Sequence, residues 1–323
     1  MESLCVVILN HRTPELTIDS LRSLAEESRT IDDFSAVVVD NDSGDGSADR
    51  IERAIRENGW ASWARVLRSA VNGGFAAGNN LGIRAVDSRY YLLLNSDTIV
   101  RRGALRALLD AAAENPRAGL VSPRLEWPDG EAQISCFRYP SPLSELLWSA
   151  GTGVLTRLLH RFAVPAGVLD HPAEAEWTSF ACVLIRREVV EEIGHLDEGY
   201  FMYYEDVDYC RRARRGGWQV LHWPAARVVH LRGGSSPVKS QAKARKRRSR
   251  YYYASRARYF GKFYTRVGLW GANAFWTLGL GISLTRKLLE GRTPHMCEKE
   301  HVDIWTNALK PLRGHGVAAK SAR

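Results

Sequence analysis

The chain has 323 residues, of which 45% are hydrophobic and 25% charged. That composition excludes a disordered chain, a collagen-like repeat and a small disulfide scaffold, and the length allows roughly two domains. Lys plus Arg is 45 against 36 Asp plus Glu, a net charge of +9, and nine basic residues with no acid fall between Lys239 and Arg258, so the remainder balances at 36 against 36.

Five cysteines, Cys5, Cys136, Cys182, Cys210 and Cys297, form an odd set with no CxxC pair. This predicts a reducing compartment and argues against a zinc site. Residues 4–9 (LCVVIL) are a continuous apolar run bounded by Asn10 and Pro14. The run is too short for a signal-peptide core and lacks a basic flank, so it reads as the first buried strand of a cytoplasmic protein. Helical spacing of Leu16, Leu21 and Leu24 predicts a helix over 15–27, and a β-branched run predicts a strand over 34–39 that ends at Asp40. A helix over 49–58, a short strand at 66–67, a helix over 78–86, a strand over 90–94 and a helix over 103–114 follow, the last closed by Asn115-Pro116. Alternating strands and helices predict an α/β fold with a mostly parallel central sheet and helices on both faces.

The stretch 120–176 is broken by Pro123, Pro128, Pro140, Pro142, Pro165 and Pro172. Beyond it the pattern predicts a strand over 177–185 and a helix over 187–193. An acidic, aromatic stretch over 196–208 then runs into a helix ending at Arg215, where Gly216-Gly217 closes it. Two short strands, 219–223 and 227–230, precede the basic segment and an amphipathic tail. The longest weakly polar run, 269–284, is interrupted by Asn273 and falls short of the roughly 20 residues a bilayer crossing needs.

In open α/β sheets ligands bind beyond the carboxyl ends of the strands. Three predicted strands end there in polar triplets: Asn10-His11-Arg12, Asp40-Asn41-Asp42 and Asn95-Ser96-Asp97. The last can hold a divalent cation, since such ions take one or two carboxylates plus substrate phosphates; the plainer alternative is that Asn95 and Asp97 cap the next helix. The 40–47 stretch reads as a solvated turn. Asn41, Ser43, Asp45, Gly46 and Glu52 also fall at calcium-loop offsets, but a strand stands where that loop needs a helix. A strand-end Asp40 accepting from a pyrimidine N3–H suits the context better. The glycine-rich turn 72–80 either admits a nucleotide close to the backbone or is an ordinary loop with left-handed glycines. It matches neither a Walker loop nor a dinucleotide fingerprint. Glu205-Asp206-Val207-Asp208 follows Phe201-Met202-Tyr203-Tyr204. Clustered carboxylates among bulky rings raise a pKa, as a general base requires, while acids at a helix start are also favoured by its dipole. His230 is either structural or a neutral imidazole sharing a cation with Asp97.

Taken in order, the segments Val6–Asn10, Val37–Asn41 with Ser43, Asn72-x-Gly74-Phe75 with Asn79-Asn80-x-Gly82, 93–97, 201–208, and His230 with Gly233 and Ser235 resemble inverting family 2 glycosyltransferases. The nearest group is the rhamnosyltransferase-like branch, and the resemblance covers about residues 3–236. It implies a GT-A fold, a nucleotide-diphosphate sugar donor and Mg²⁺ or Mn²⁺. By that resemblance Asp40 contacts the pyrimidine, and Asn10, Asn72 and Asn79 belong to the nucleotide-sugar site. Ser96 lies near the ribose or diphosphate, Asp97 and His230 hold the metal, and Asp206 is the catalytic base. Trp177 and Glu205 fall on the acceptor side. Three positions depart from the pattern: Asn95 for the first Asp of an Asp-x-Asp triplet, His11-Arg12 for Tyr-Asn, and Phe180 where glycine is common.

The expected organisation is a catalytic domain, 1–236, and a basic, amphipathic helical region, 237–323, that associates with membrane. The expected reaction transfers a sugar, rhamnose first, from a dTDP- or UDP-sugar to a saccharide or lipid-linked glycan in cell-surface polysaccharide synthesis. Basic residues beside Tyr251, Tyr252, Tyr253, Phe260, Phe263, Trp270 and Trp276 favour an anionic membrane surface through 239–289 over nucleic acid. They imply a cytoplasmic enzyme, peripheral on the inner face of the cell membrane. A nucleotidyltransferase would show a glycine-rich basic signature near the N-terminus, and the sequence has none. A non-catalytic nucleotide-sugar- or glycan-binding module would be expected to lose Asp97 or Asp206, and both are present.

Overall fold

A computed structural model describes residues 3–231, 242, 244–291 and 296–313. Period-two alternation in the apolar runs feeds two cores at once. In β1 (Ser3–Asn10), Leu4, Val6 and Ile8 enter one core while Cys5 and Val7 enter the other. β2 (Asp33–Asn41) and β4 (Tyr90–Asn95) divide in the same way, and β3 (Ala64–Ser69) lies at the sheet edge. Helices α1 (Pro14–Glu27), α2 (Ser47–Glu57) and α4 (Ala104–Glu114) cover the first face with Leu21, Leu24, Ile51, Leu105 and Leu108. Helices α3 (Gly74–Ala85), α7 (Arg187–Ile193) and α8 (Glu205–Arg215) cover the second with Ala76, Ile83, Val189, Tyr209 and Ala213.

The order β3-β2-β1-β4 is parallel throughout, as the strand–helix alternation predicts. Past β4 the sheet becomes mixed. β10 (Cys182–Arg186) enters antiparallel between β4 and β6 (Ala118–Glu126). β11 (Gln219–His230) runs parallel to β6, with β5 (Thr98–Val100) and β8 (Ala173–Ala175) antiparallel to it. The two strands expected over 219–230 are this one strand. Its register shifts between Trp223 and Arg227, where Pro224 has no N–H to give the ladder. The strand expected over 177–185 is instead divided. β9 (Trp177–Thr178) pairs with β7 (Cys136–Phe137) in a separate ribbon, and β10 starts only at Cys182. Helix α3 begins at Gly74, earlier than its apolar spacing indicates.

Beyond the sheet lie α5 (Pro142–Ala150), α6 (Gly153–Leu158), α9 (Arg250–Glu290) and α10 (Glu300–Asp303). By length and composition α9 is able to cross a membrane, but it is not straight. Thr265 has φ 64° and ψ 179°. In a continuous helix Arg256 and Asn273 would stand about 25 Å apart; here the Arg256 guanidinium donates to Asn273 Oδ1 at 2.7 Å. Tyr253 shares a cluster with Trp276, and Phe260 with Leu269. The element is therefore a helical hairpin with arms 250–264 and 266–290.

The hairpin alters the reading of the basic segment as a membrane-facing strip. A buried guanidinium requires a partner; Arg248, Arg256 and Arg258 are largely buried and each has one, as does the more exposed Arg247. Arg247 pairs with Asp303, Arg248 with Glu300, Arg256 with Glu145 and Arg258 with Asp197. Tyr253, Phe260 and Trp276 are buried rather than interfacial. Lys239, Lys243, Gly233, Ser235 and the 236/237 boundary lie outside the described residues. What the hairpin leaves exposed is the outer face of its second arm, with Val267, Trp270, Phe275, Leu278, Leu284, Leu288 and Leu289.

Candidate active site

Parallel pairing sets Asn10 beside Asp40 and Leu9 beside Asn95, so β1, β2 and β4 bring their polar ends to one sheet edge. Asn10 is fully buried there and works as an internal hub. Its amide donates to Asp40 Oδ1 at 2.7 Å and to Ser43 Oγ at 3.2 Å, and its Oδ1 accepts from the Thr17 hydroxyl at 3.0 Å. Asp40 also accepts from the Ser43 hydroxyl at 2.6 Å. Ser43 in turn accepts from the Arg12 N–H. With Ser43 engaged in this way, and with Asn41 donating to Asn72 Oδ1 and to the Gly74 carbonyl, the calcium-loop pattern does not form a cation cage. Asn72 lies half-buried beside His11. Asn79 is buried in α3 and donates to the Phe75 carbonyl at 2.9 Å. Ser96 shares a hydrogen bond with Thr13 at 3.1 Å.

The glycines of 72–80 serve close packing more than ligand access. A Cβ on Gly78 or Gly82 would lie 2.3 Å from Leu9 or Val7, so this face of α3 rests directly on β1. Gly74, at φ +83°, would carry its Cβ 2.0 Å from the Phe201 carbonyl oxygen. Phe75 N–H donates to that same oxygen at 2.7 Å. The turn thus clamps the loop 201–204.

That loop forms the opposite wall. Tyr203 and Tyr204 are consecutive left-handed residues, at φ 71° and 69°, a conformation costing about 1–3 kcal/mol each for a side chain with a Cβ. The first hairpin arm holds them. Tyr251 stacks on Tyr203, Tyr252 meets both tyrosines edge-on or tilted, and Ser255 donates to the Met202 carbonyl at 2.9 Å. One turn into α8, Asp208 is fully buried and accepts from Tyr200, Arg212 and Lys262.

Between the walls is a cleft of about 150 Å³ whose lining includes Ser96, Asp97, Glu205, Asp206 and His230. The two carboxylates singled out for metal and base therefore face one cavity. Asn10, Asp40, Asn79 and Trp177 are not in its lining. Trp177 stacks on Phe137 at 4.3 Å and donates from its indole to the Arg138 carbonyl. His11, Phe75, Ser179, Phe180, Met202 and Tyr203 are lining residues with no assigned role in the sequence reading. For Phe180 and His11 the signal was their departure from the family pattern. Phe75, Met202 and Tyr203 stood in matching motifs without a role of their own, and Ser179 gave no signal.

Asp97 does not cap a helix. The start of α4 is served by Glu27, which accepts from the Gly103 and Leu105 N–H groups at 2.7 and 3.1 Å. Instead Asp97 Oδ1 lies 3.5 Å from His230 Nε2. The other ring nitrogen, Nδ1, is buried without a hydrogen-bond partner among the described residues. A carboxylate and an imidazole side by side suit a divalent cation whose remaining ligands come from substrate phosphates and water. No group of three or more protein ligands occurs among the described residues. Glu205 is buried with Oε2 unpartnered. Burial, and then the neighbouring Asp206 charge, push its carboxyl well above the usual range. All five cysteines are free and buried.

Residues 3–150 match the model of the glycosyl transferase family 2 domain. Over 271 residues the chain is 29% identical to the N-acetylglucosaminyl-diphospho-decaprenol L-rhamnosyltransferase of Mycobacterium tuberculosis, covering 79% of this chain and 83% of that one. It is 27% identical over 236 residues to the low-salt glycan biosynthesis hexosyltransferase Agl10 of Haloferax volcanii, covering 71% and 67%. Among solved structures it is similar to GalNAc-T7 with UDP, GalNAc and Mn²⁺ (TM-score 0.56, 15% identity, 96% of this chain and 59% of that one). It is also similar to the mannosyltransferase PcManGT of Pyrobaculum calidifontis with GDP-Man and Mn²⁺ (TM-score 0.53, 14% identity, 96% and 84%). The curled α/β sheet with its edge cleft is the GT-A fold, and the protein is a glycosyltransferase. Its residues 3–150 carry the family 2 match, and the rhamnosyltransferase of Mycobacterium tuberculosis is among the proteins it is similar to.

Proposed function

We propose that this glycosyltransferase moves a hexose, rhamnose first among candidates, from a dTDP- or UDP-sugar to a hydroxyl of a lipid-linked glycan, with inversion, in cell-surface polysaccharide synthesis. The observation that carries the reading is that Asp97 and Asp206 line one cleft from opposite walls. Asp97 and His230 would hold Mg²⁺ or Mn²⁺, as their 3.5 Å approach allows. When bound, the cation supplies Lewis-acid stabilisation of the negative charge growing on the leaving diphosphate. Asp206 takes the proton from the acceptor hydroxyl, a poor nucleophile until it is deprotonated. Asp40 and Asn72, at the ends of adjoining segments, orient the base and its ribose. Buried Glu205, protonated, donates to an oxygen of the bound sugar or acceptor. Tyr203 and Phe180 exclude water from the reacting centre.

We assign catalysis to residues 1–236 and membrane association to 237–323. The exposed apolar face of 266–290, with Arg266 and Arg286-Lys287 near its ends, suits lying in the headgroup region of the cytoplasmic leaflet. That placement brings the cleft near a lipid-linked acceptor.

The test is transfer from a panel of dTDP- and UDP-sugars with Mn²⁺ or Mg²⁺, the anomeric configuration of the product being read by NMR. Turnover of one pyrimidine donor, lost in EDTA and restored by metal, with an inverted product, is expected. Retention of configuration, or full activity in EDTA, overturns the mechanism. For the membrane, Leu278→Glu with Leu288→Glu is expected to release the protein from sedimenting vesicles. Unchanged sedimentation overturns that assignment.

A further inference from the structure

A second cavity, of about 490 Å³, lies at the far ends of β11 and α8 from the cleft, and its lining includes Arg117, Tyr139, Glu174, Arg211, Arg214 and Arg215. We propose that it is a binding site for a phosphate-bearing anion, distinct from the nucleotide-sugar site. This inference stands on the cavity alone and does not depend on the donor or acceptor proposed above.

Charge is the first argument. Four guanidinium groups face one carboxylate in this lining. Glu174 is already taken by Arg214, at 2.8 Å. The nearby Glu176 accepts from the Tyr139 backbone N–H, and Glu192 from the Trp218 indole. Arg117, Arg211 and Arg215 therefore have no carboxylate partner among the described residues. Like charges gathered without a counter-ion repel one another, and an anion placed among them relieves that repulsion.

Rigidity is the second argument. The Arg211 guanidinium carbon lies 4.6–5.7 Å from the ring centres of Phe263, Tyr264, Tyr139 and Tyr259, and the group donates to the Tyr259 hydroxyl at 2.8 Å. Arg215 lies 4.9 Å over Phe263. Cation–π seating of this kind fixes the fork before a ligand arrives, so little side-chain freedom is lost on binding. The Tyr139 hydroxyl is buried beside Arg214 without a well-aligned hydrogen bond, and so offers one more donor.

The ligand class follows from these donors. Arginine forks match the paired oxygens of phosphate, and the volume accommodates a phosphate, a diphosphate or a glycerophosphate headgroup. Phe263 and Tyr264 stand immediately before the break at Thr265, after which the exposed apolar arm begins at Val267. A free phosphate compound and a phospholipid headgroup thus share the chemistry that this cavity recognises.

The experiment uses the full chain in EDTA, with Arg117→Gln/Arg215→Gln as the test variant. Both side chains are exposed and have no hydrogen-bond or ion-pair partner among the described residues, so the variant gives up only the seat of Arg215 over Phe263; an unchanged melting temperature checks that the fold is spared. Sodium pyrophosphate is titrated calorimetrically, and sedimentation is measured with phosphatidylglycerol and with phosphatidylcholine vesicles. A pyrophosphate affinity that falls at least about tenfold in the variant supports the site with a soluble ligand. Partition to phosphatidylglycerol vesicles that falls by a similar factor, with weak partition to phosphatidylcholine in both proteins, supports it with a lipid headgroup. Arg117→Lys/Arg215→Lys is expected to recover part of whichever loss is seen. Binding of both probes that is identical in wild type and variant, or binding of neither, overturns the proposal.

Discussion

The two walls of the cleft are built by opposite means. The Asp97 wall hangs on β1, β2 and β4, parallel strands buried on both faces, whose ends deliver polar residues by register alone. The Asp206 wall hangs on a loop with two left-handed tyrosines, kept in place by residues of a hairpin that begins at Arg250. The first wall is stable by its own core. The second is held by contacts from outside the sheet, so chemistry on that side depends on the tail remaining docked.

The largest effect should come from the residue at the tip of the second wall. Asp206→Asn is expected to lower kcat by about 10²–10⁴-fold while donor affinity, measured by calorimetry, stays within about twofold. Near-normal kcat would mean that the second wall carries no base. The next effect tests the tail. Arg256 and Glu145 are a buried pair, with Arg256 also bonded to Asn273 across the hairpin. Removing one partner of such a pair costs about 3–5 kcal/mol. Arg256→Ala should therefore lower the melting temperature and the transfer rate together. Arg256→Met with Glu145→Leu should recover much of both. Stability lost without any loss of rate would show that the loop stands without the hairpin.

How far the sequence displayed this arrangement depends on the distance over which each contact acts. The first wall was legible because it is local: an apolar run of strand length, then a polar triplet, three times over. Asp206 was legible because acids at a helix start beside aromatic residues form a compact signal. The glycines of 72–80 were legible as special but not in their purpose, since Gly74 is small for the sake of Phe201, far along the chain. The same holds for the basic segment. Arg247, Arg248, Arg256 and Arg258 read as a membrane-facing run because Asp303, Glu300, Glu145 and Asp197 lie distant in sequence. Nor does any residue near Thr265 announce a fold-back, and β10 shows no pattern that tells an antiparallel entry from a parallel one.

A smaller effect is expected where the two walls touch. Gly74→Ala puts a side chain at φ +83°, a backbone strain of about 1–3 kcal/mol, and its Cβ displaces the Phe201 carbonyl besides. It should loosen the loop and raise KM for the acceptor more than for the donor. Equal changes in both constants would mean that the clamp serves the whole cleft rather than its second wall.

The smallest effect is the most specific to the Asp206 side. The Glu205 carboxyl is held well above its ordinary value of 4.5 by burial and then by Asp206. The folded chain therefore keeps a proton that the unfolded chain has already released, and stability from this group falls as pH rises from about 4.5 through the raised value. In Glu205→Gln that decline disappears, so its melting temperature should overtake the wild type's by a few degrees as pH increases. Asp206→Asn removes one of the charges that raise the Glu205 value, so it should confine the decline to a narrower and more acidic window. If melting curves of wild type and Glu205→Gln run parallel at every pH, the carboxyl is ionised in the fold, and this wall presents two negative charges rather than one base beside one neutral donor.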